Sequence, residues 1–465
     1  MPGGYGPRAS RSTVATSGSA SDVVVVGAGS AGLAAAVAAA QAGARRVLVL
    51  EKAAVAGGNA RFSHTGFRAA YDGPEEIRAF VGDVDGLELP GYPVAAYEAE
   101  LARFGVEEAL GARLAADSAA ALRWMRALGI PFVLNRSLLV DGRRVFEPGL
   151  VLAADGLVDA WLRIAAAHGV ELRLECAVQD VVPGRGVILD GELVPGRAVV
   201  VAAGGHQASL DGVVRGVPED TGEVLFALLA RGAARAGAWG EAVITPVDAS
   251  SPRFEGGNAM NRYSYPYGIT VDRDGGRFFD EGAGGLAETY GTVGRAILAR
   301  PGGIAYQLFD AEGETLLKHY AYRDAAPARA GSVRELARAA GLDPEALERT
   351  VAAYNAACPR AGFDPARPDG CATRGLDPPK SNWARPLAVP PFSAYAVTGG
   401  ITFTLGGVAV DDRARVLDDR GAPLPGVFAT GDAIGLFRGG YPSGAGQTRN
   451  VVFARLATST VPGRA

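Results

Sequence analysis

Short apolar runs rich in valine alternate with longer alanine- and leucine-rich stretches, and glycine marks most of the boundaries. Residues 22–26 (DVVVV) form a β-branched run of strand length. Gly27-Ala28-Gly29-Ser30-Ala31-Gly32 follows at once, then a helical stretch to residue 42, a stop at Gly43, and a second apolar run, 46–50, ending in Glu51. The pattern predicts strand, glycine turn, helix, strand and acid within a unit of about thirty residues. Helices are predicted over 94–104 and 106–128, and another from Asp155-Gly156 to His168, with His168 a solvated residue at its C-terminal end. A strand over 170–182, an apolar strand over 198–203 and a helix over 224–236, stopped by Gly237, come next. Scaffold helices are predicted over 332–340 and 344–357, with Leu336, Leu347 and Val351 as core. Residues 425–430 end the pattern as a strand that stops at Thr430-Gly431-Asp432.

Composition narrows the class. The 465 residues are 48% hydrophobic with a formal charge of −4, so the chain suits two or three globular domains, and its acids outnumber its bases. No basic block or interleaved aromatic patch points to nucleic acid. Residues 1–20 are Gly, Ser, Thr and Pro without an apolar core, and read as a disordered tail. No apolar run is long enough to cross a membrane. Cys176, Cys358 and Cys371 lack metal spacing and read as reduced thiols, so no metal is expected and the location reads as cytoplasmic.

The N-terminal unit carries its own chemistry. Gly27 permits the tight turn, Gly29 lets backbone approach a pyrophosphate, and Gly32 lets the helix pack on the strand, with the helix N-terminus facing the phosphate charge. Glu51 is placed to accept the ribose hydroxyls of an adenosine half. Two segments favour FAD over NAD. A small-residue loop directly after the acid, residues 52–67, is long enough to wrap a flavin ring. Asp432, at the end of a late strand, is placed for ribityl hydroxyls. The strand ending in Ala203-Gly204 lies beside the nucleotide.

Together, "GGNARFSHTGFR", "YSYPYGITVDRDGGRFFDEGA", "GRAILARPGGIAYQLFD", "GITFTLGGVAVD", "ARVLDDRGAPLPGVFATGD" and "GGYPSGAG" resemble the fumarate reductase/succinate dehydrogenase flavoprotein superfamily, over nearly the whole chain after residue 21. The nearest branch looks like the tricarballylate dehydrogenase type. The resemblance implies an α/β fold, a Rossmann-like FAD-binding domain interrupted by a smaller α+β capping domain. It is expected over 21–235 and 381–465, with the cap over 236–380. It also implies FAD contacts from Gly27, Ala28, Gly29, Ser30, Ala31, Gly32, Glu51, Lys52, Gly57, Gly58, Asn59, Arg61, Ser63, His64, Thr65, Gly66, Val178, Ala203, Gly204, Glu223, Gly431, Asp432, Ser443, Gly444, Ala445 and Gly446. Ser63-His64-Thr65 echoes a flavin-linking motif, but counting from the shared glycines puts the linking position on Asn59. Noncovalent FAD is expected.

The superfamily's catalytic cations are replaced. Leu286 stands where the tricarballylate type has an arginine, Phe403 where a histidine is expected, and Tyr441 where an arginine clamps a substrate carboxylate. A dianion buried without paired arginines is costly, which argues against fumarate. Arg438, Arg262 and Arg449 remain able to hold one carboxylate. The Tyr441-Pro442-Ser443-Gly444 stretch resembles the 3-ketosteroid Δ1-dehydrogenases, whose tyrosine hydrogen-bonds a ketone. By this resemblance Tyr441 polarises a carbonyl, and a cap residue exchanges the α-proton. Tyr290, Glu288, Tyr265 and Tyr263 are the candidates, with Tyr290 preferred. The expectation is an FAD-dependent oxidoreductase that introduces or reduces a C=C bond beside a carbonyl or carboxylate of a small metabolite, with an unspecified electron donor or acceptor. A flavin oxidase of C–N or C–OH bonds is the alternative. No second strand–GxGxxG–helix unit exists for a pyridine nucleotide.

Overall fold

The computed structural model describes residues 20–459, apart from 64–65, 136–138, 141–143, 146, 257–259, 318 and 323. Residues 1–19 of the expected tail, and His64 and Thr65, lie outside the described residues.

The N-terminal unit forms as its pattern dictates. Strand β1 (Ser21–Val26), helix α1 (Ser30–Gln41) and strand β2 (Val47–Leu50) are almost wholly buried, so α1 is apolar on nearly every face. β1 pairs in parallel with β2 on one side and with Glu192–Val201 on the other. Pro423–Ala429 continues the parallel set beyond Glu192–Val201, and Glu171–Arg173 extends it beyond β2. The parallel strands read as continuous Val/Leu runs because helices cover the sheet. The C-terminal helix Ala445–Ser459 packs against α1, bringing the chain's last helix to its first nucleotide turn.

A second, six-stranded sheet centres on the 13-residue strand Phe392–Thr404, which pairs with Ala242–Asp248, Ala305–Phe309, Ala328–Ala330 and Val213–Val214. Helix Leu286–Leu298 lies on this sheet. A Cβ at Gly294 would sit 2.2 Å from the Ile244 carbonyl oxygen, so only glycine allows that approach. The fold is the expected α/β class. The six-stranded sheet uses chain from both sides of residue 380.

Two predicted elements end early. The helix expected over 224–236 stops at Ala230, because Gly232 turns out at φ +92° and Arg235–Ala236 pairs with Gly407–Val408. The strand expected over 170–182 is two strands, Glu171–Arg173 and Val178–Val182, and Glu175 between them adopts φ +57°. In both places a distant partner strand outweighs local propensity. The scaffold helices Val333–Ala340 and Pro344–Ala357 match expectation, with Leu336, Leu347 and Val351 buried in their own core cluster. Among the described residues, no helix is long and apolar enough to cross a membrane.

Candidate functional site

A cavity of about 760 Å³ opens at the carboxyl ends of the parallel strands and reaches the six-stranded sheet. This is where open α/β sheets bind ligands, and the volume lies in the upper part of the range for small-molecule sites. The three motif glycines divide their labour. A Cβ at Gly27, where φ is +100°, would lie 2.4 Å from the Ala202 oxygen. At Gly32 it would lie 1.9 Å from the Gly27 oxygen. Those two glycines serve packing. At Gly29 the nearest atom would be the Gly57 oxygen at 4.0 Å, so the space before the N-terminus of α1 is open to the cavity. Ser30 lines the same space, and its buried hydroxyl has no hydrogen-bond partner. An open glycine, an orphaned hydroxyl and a helix N-terminus fit a pyrophosphate.

Acids surround the rest of this end. Glu51 accepts the Ala28 and Ala53 amides at 2.7 and 2.9 Å, which fixes its carboxylate at the cavity wall. Lys52 bonds Thr221 and Glu223, both at 2.8 Å. Burial alone would raise the Glu223 carboxyl, but the Lys52 ammonium outweighs it and holds the group below its usual range. Asp432 lines the cavity and is paired with the buried Arg449. Asn59, the position matched to the flavin-linking residue, donates to Asp220 at 2.6 Å and accepts the Val217 amide at 2.9 Å. Asp220 also accepts from Gln207 at 2.6 Å. Burial, then the charge of Asp432, pushes the Asp220 carboxyl up to about 8 against the hydrogen bond from Gln207.

The far end of the cavity is aromatic and contains both preferred tyrosines. Tyr441 lies at the mouth of the glycine turn before Ala445–Ser459, and Tyr290 lies on the helix Leu286–Leu298. Their rings meet edge to face with centroids 6.4 Å apart. The two phenols bear on each other, and burial pushes both up, Tyr290 well above its ordinary value. Phe403 packs edge-on against Tyr441 at 4.8 Å, and Tyr263 lies 5.8 Å from Tyr290. The replacements noted at Phe403 and Tyr441 are therefore neighbours in space.

Most expected cofactor residues line this cavity: Gly27, Gly29, Ser30, Ala31, Glu51, Lys52, Gly58, Asn59, Arg61, Ser63, Gly66, Val178, Ala203, Gly204, Glu223, Gly431, Asp432, Ser443, Gly444 and Gly446. Ala28, Gly32, Gly57 and Ala445 stand behind the wall as packing or turn residues; Gly57 has φ +116° and would clash with Arg61 and Val158. Two catalytic candidates fall elsewhere. Tyr265 is buried in a separate core cluster, bonded to Thr289 at 2.7 Å. Arg438 is exposed and lies against Gly105. Glu288 accepts the Gly285 amide at its helix start. Arg262 is buried and pairs with Asp248 at 2.6 Å. Sequence reasoning missed Asp220, Arg215, Thr245 and Thr402, all cavity residues. Asp220 sits three residues before the acid that the motif singled out, Thr402 lies inside the quoted "GITFTLGGVAVD" stretch, and Arg215 and Thr245 lie in stretches without a motif.

A parallel nucleotide sheet, an anion-ready glycine turn and a cavity that continues into an aromatic chamber define a flavoprotein fold. The chain belongs to the FAD binding domain family, whose model matches residues 22–447, and its cofactor is FAD. It is 29% identical to the NADH:fumarate oxidoreductase of Klebsiella pneumoniae (strain 342) over 94% of this chain and 47% of that protein, so it spans about half of that relative's length. It is 28% identical to the 4-oxocyclohexanecarboxylate 2-dehydrogenase of Sinomonas cyclohexanicum over 69% of this chain and 62% of that one. Among solved structures, the open conformation of a flavocytochrome c3 fumarate reductase superposes with a TM-score of 0.72 at 26% identity, covering 95% of this chain and 78% of that one.

Proposed function

We propose that this protein is an FAD-dependent oxidoreductase that introduces or reduces a C=C bond beside the carbonyl or carboxylate of a small metabolite. The observation that carries the reading is the pair of buried, contacting phenols, Tyr290 and Tyr441, inside the cavity that the nucleotide motif opens. FAD, when bound, supplies hydride exchange with the substrate's β-carbon. The chain's own residues handle the carbonyl and the proton. Tyr441 donates its O–H toward a carbonyl oxygen that gains negative charge. Tyr290 gives its hydroxyl proton to the α-carbon in the reducing direction and is left as the phenolate, the form that takes the α-proton in the other direction. The apolar walls from Phe403 and Tyr263 exclude water from that exchange. Asn59 is engaged by Asp220 and Val217 and carries no nucleophile, which supports noncovalent FAD.

Anaerobic flavin spectroscopy tests this. Saturated ketones such as 4-oxocyclohexanecarboxylate are expected to bleach the flavin, or the matching enones to reoxidise the reduced protein. Tyr441→Phe is expected to keep its flavin spectrum and lose about 10²-fold in rate, the scale of one oxyanion donor. No response to either compound class overturns the reading.

A further inference from the structure

The arginines that sequence reasoning kept available for a carboxylate are not cavity residues. Arg449 is committed to Asp432, Arg262 to Asp248, and Arg438 lies at the surface. Another guanidinium stands in the chamber. Arg215 follows the edge strand Val213–Val214, and its amide donates to the Ile401 carbonyl at 2.7 Å. Its stem crosses the sheet at Gly400, where a Cβ would come within 2.9 Å of the Arg215 Cγ. That crossing aims the guanidinium at Thr245 and Thr402: Nη1 lies 3.3 Å from each hydroxyl, and the two hydroxyls lie 3.0 Å apart. Arg215 is also ion-paired on its Nε side with Glu255 at 3.7 Å, which leaves the Nη1 side facing the two threonines. All four residues line the cavity with the tyrosine pair.

Of the described cavity cations, Lys52 is bound to Glu223 beside Glu51, and Arg61 neighbours the Gly57 turn. Arg215 is the one whose charge bears on both phenols, lowering Tyr290 and Tyr441 against their burial. A carboxylate at the Thr245–Thr402 side of this guanidinium would gain a charge-assisted bond and the hydroxyl hydrogen that the threonine pair does not use between themselves.

We propose that Arg215, with Thr245 and Thr402, binds the single carboxylate of an oxo-acid substrate whose ketone reaches Tyr441, making the substrate class a compact keto monocarboxylate. The assignment rests on the tyrosine-pair reading of the same cavity. It explains how one anion is held where the superfamily's arginine clamp is missing. Glu255 opposes a second negative charge there, which disfavours dicarboxylates.

Binding without turnover separates this proposal from the catalytic one. A phenol resembles the enol form of a ketone and cannot be dehydrogenated, so FAD-loaded protein is titrated with 4-hydroxybenzoate and 4-hydroxybenzamide, read by the flavin difference spectrum. The wild type is expected to bind the acid about 10-fold or more tighter than the amide. Arg215→Gln is expected to remove that preference and leave amide affinity within about twofold, whereas Arg215→Lys retains part of it because the charge remains. Glu255→Gln is expected to tighten the acid. Equal affinity for acid and amide in the wild type, or an equal loss of both in Arg215→Gln, overturns the assignment. Should Arg215→Gln not fold, Thr245→Val with Thr402→Val must weaken the acid selectively, and an unchanged acid-to-amide ratio overturns it. A failed flavin-bleaching test with intact acid selectivity would count against the proposed reaction and leave Arg215 as the carboxylate site.

Discussion

Asp220 shows how much one residue's meaning depends on its enclosure. In the sequence it is an acid in a polar loop; in the fold it is held by Asn59 and Gln207, with its carboxyl pushed up to about 8 by burial and by Asp432. The folded pKa lies above the unfolded value of about 3.9. The unfolded chain therefore releases this proton at lower pH than the folded one, and stability falls as pH rises from about 4 to about 8. Melting temperatures of the FAD-free protein across that window are expected to decline with pH, and the decline is expected to be shallower in Asp220→Asn. An identical slope in the variant would show that Asp220 is ionised in the fold. The tyrosine pair was partly legible beforehand because Tyr441 and Tyr290 each follow a recognisable motif. Arg215, Thr245 and Thr402 were not, since their meeting depends on strand pairing between residues 157 apart in the case of the two threonines.

At the scale of the element, the helix opening at Gly29 makes an unusually clean comparison. Gly29 and Gly32 lie one turn apart in one motif, yet the first faces open space and the second meets backbone at 1.9 Å. Gly29 has φ −73°, which alanine adopts without strain. Gly29→Ala is therefore expected to fold with a near-native melting temperature and bind FAD at least about 10-fold more weakly, by crowding the phosphate approach. Gly32→Ala is expected to cost several kcal/mol or abolish folding, because strand and helix must separate. Measured flavin content and thermal melts distinguish the two, and equal behaviour would refute this division of roles. Periodicity made this unit legible because its contacts are local. It failed at 224–236, where the end of the helix is decided by a strand near residue 408.

Across the whole molecule, the cavity wall is assembled from the first glycine turn, the middle of the chain around Arg215 to Tyr290, and the start of the helix Ala445–Ser459, segments that sequence order keeps far apart. FAD should therefore behave as a structural member. Its removal is expected to lower the melting temperature, and free FAD at 100 times its Kd to restore about 2.7 kcal/mol of stability. A melting temperature indifferent to FAD would place the cofactor outside this cavity. Tyr290, on the helix Leu286–Leu298, meets Tyr441, on the turn before Ala445–Ser459, so the two phenols assigned to the proposed proton exchange belong to distant parts of the chain. A displacement of that helix from the turn would pull the phenols apart. On the proposed mechanism, hydride and proton transfer then share one geometric condition: with helix and turn apart there is no assembled acid beside the substrate.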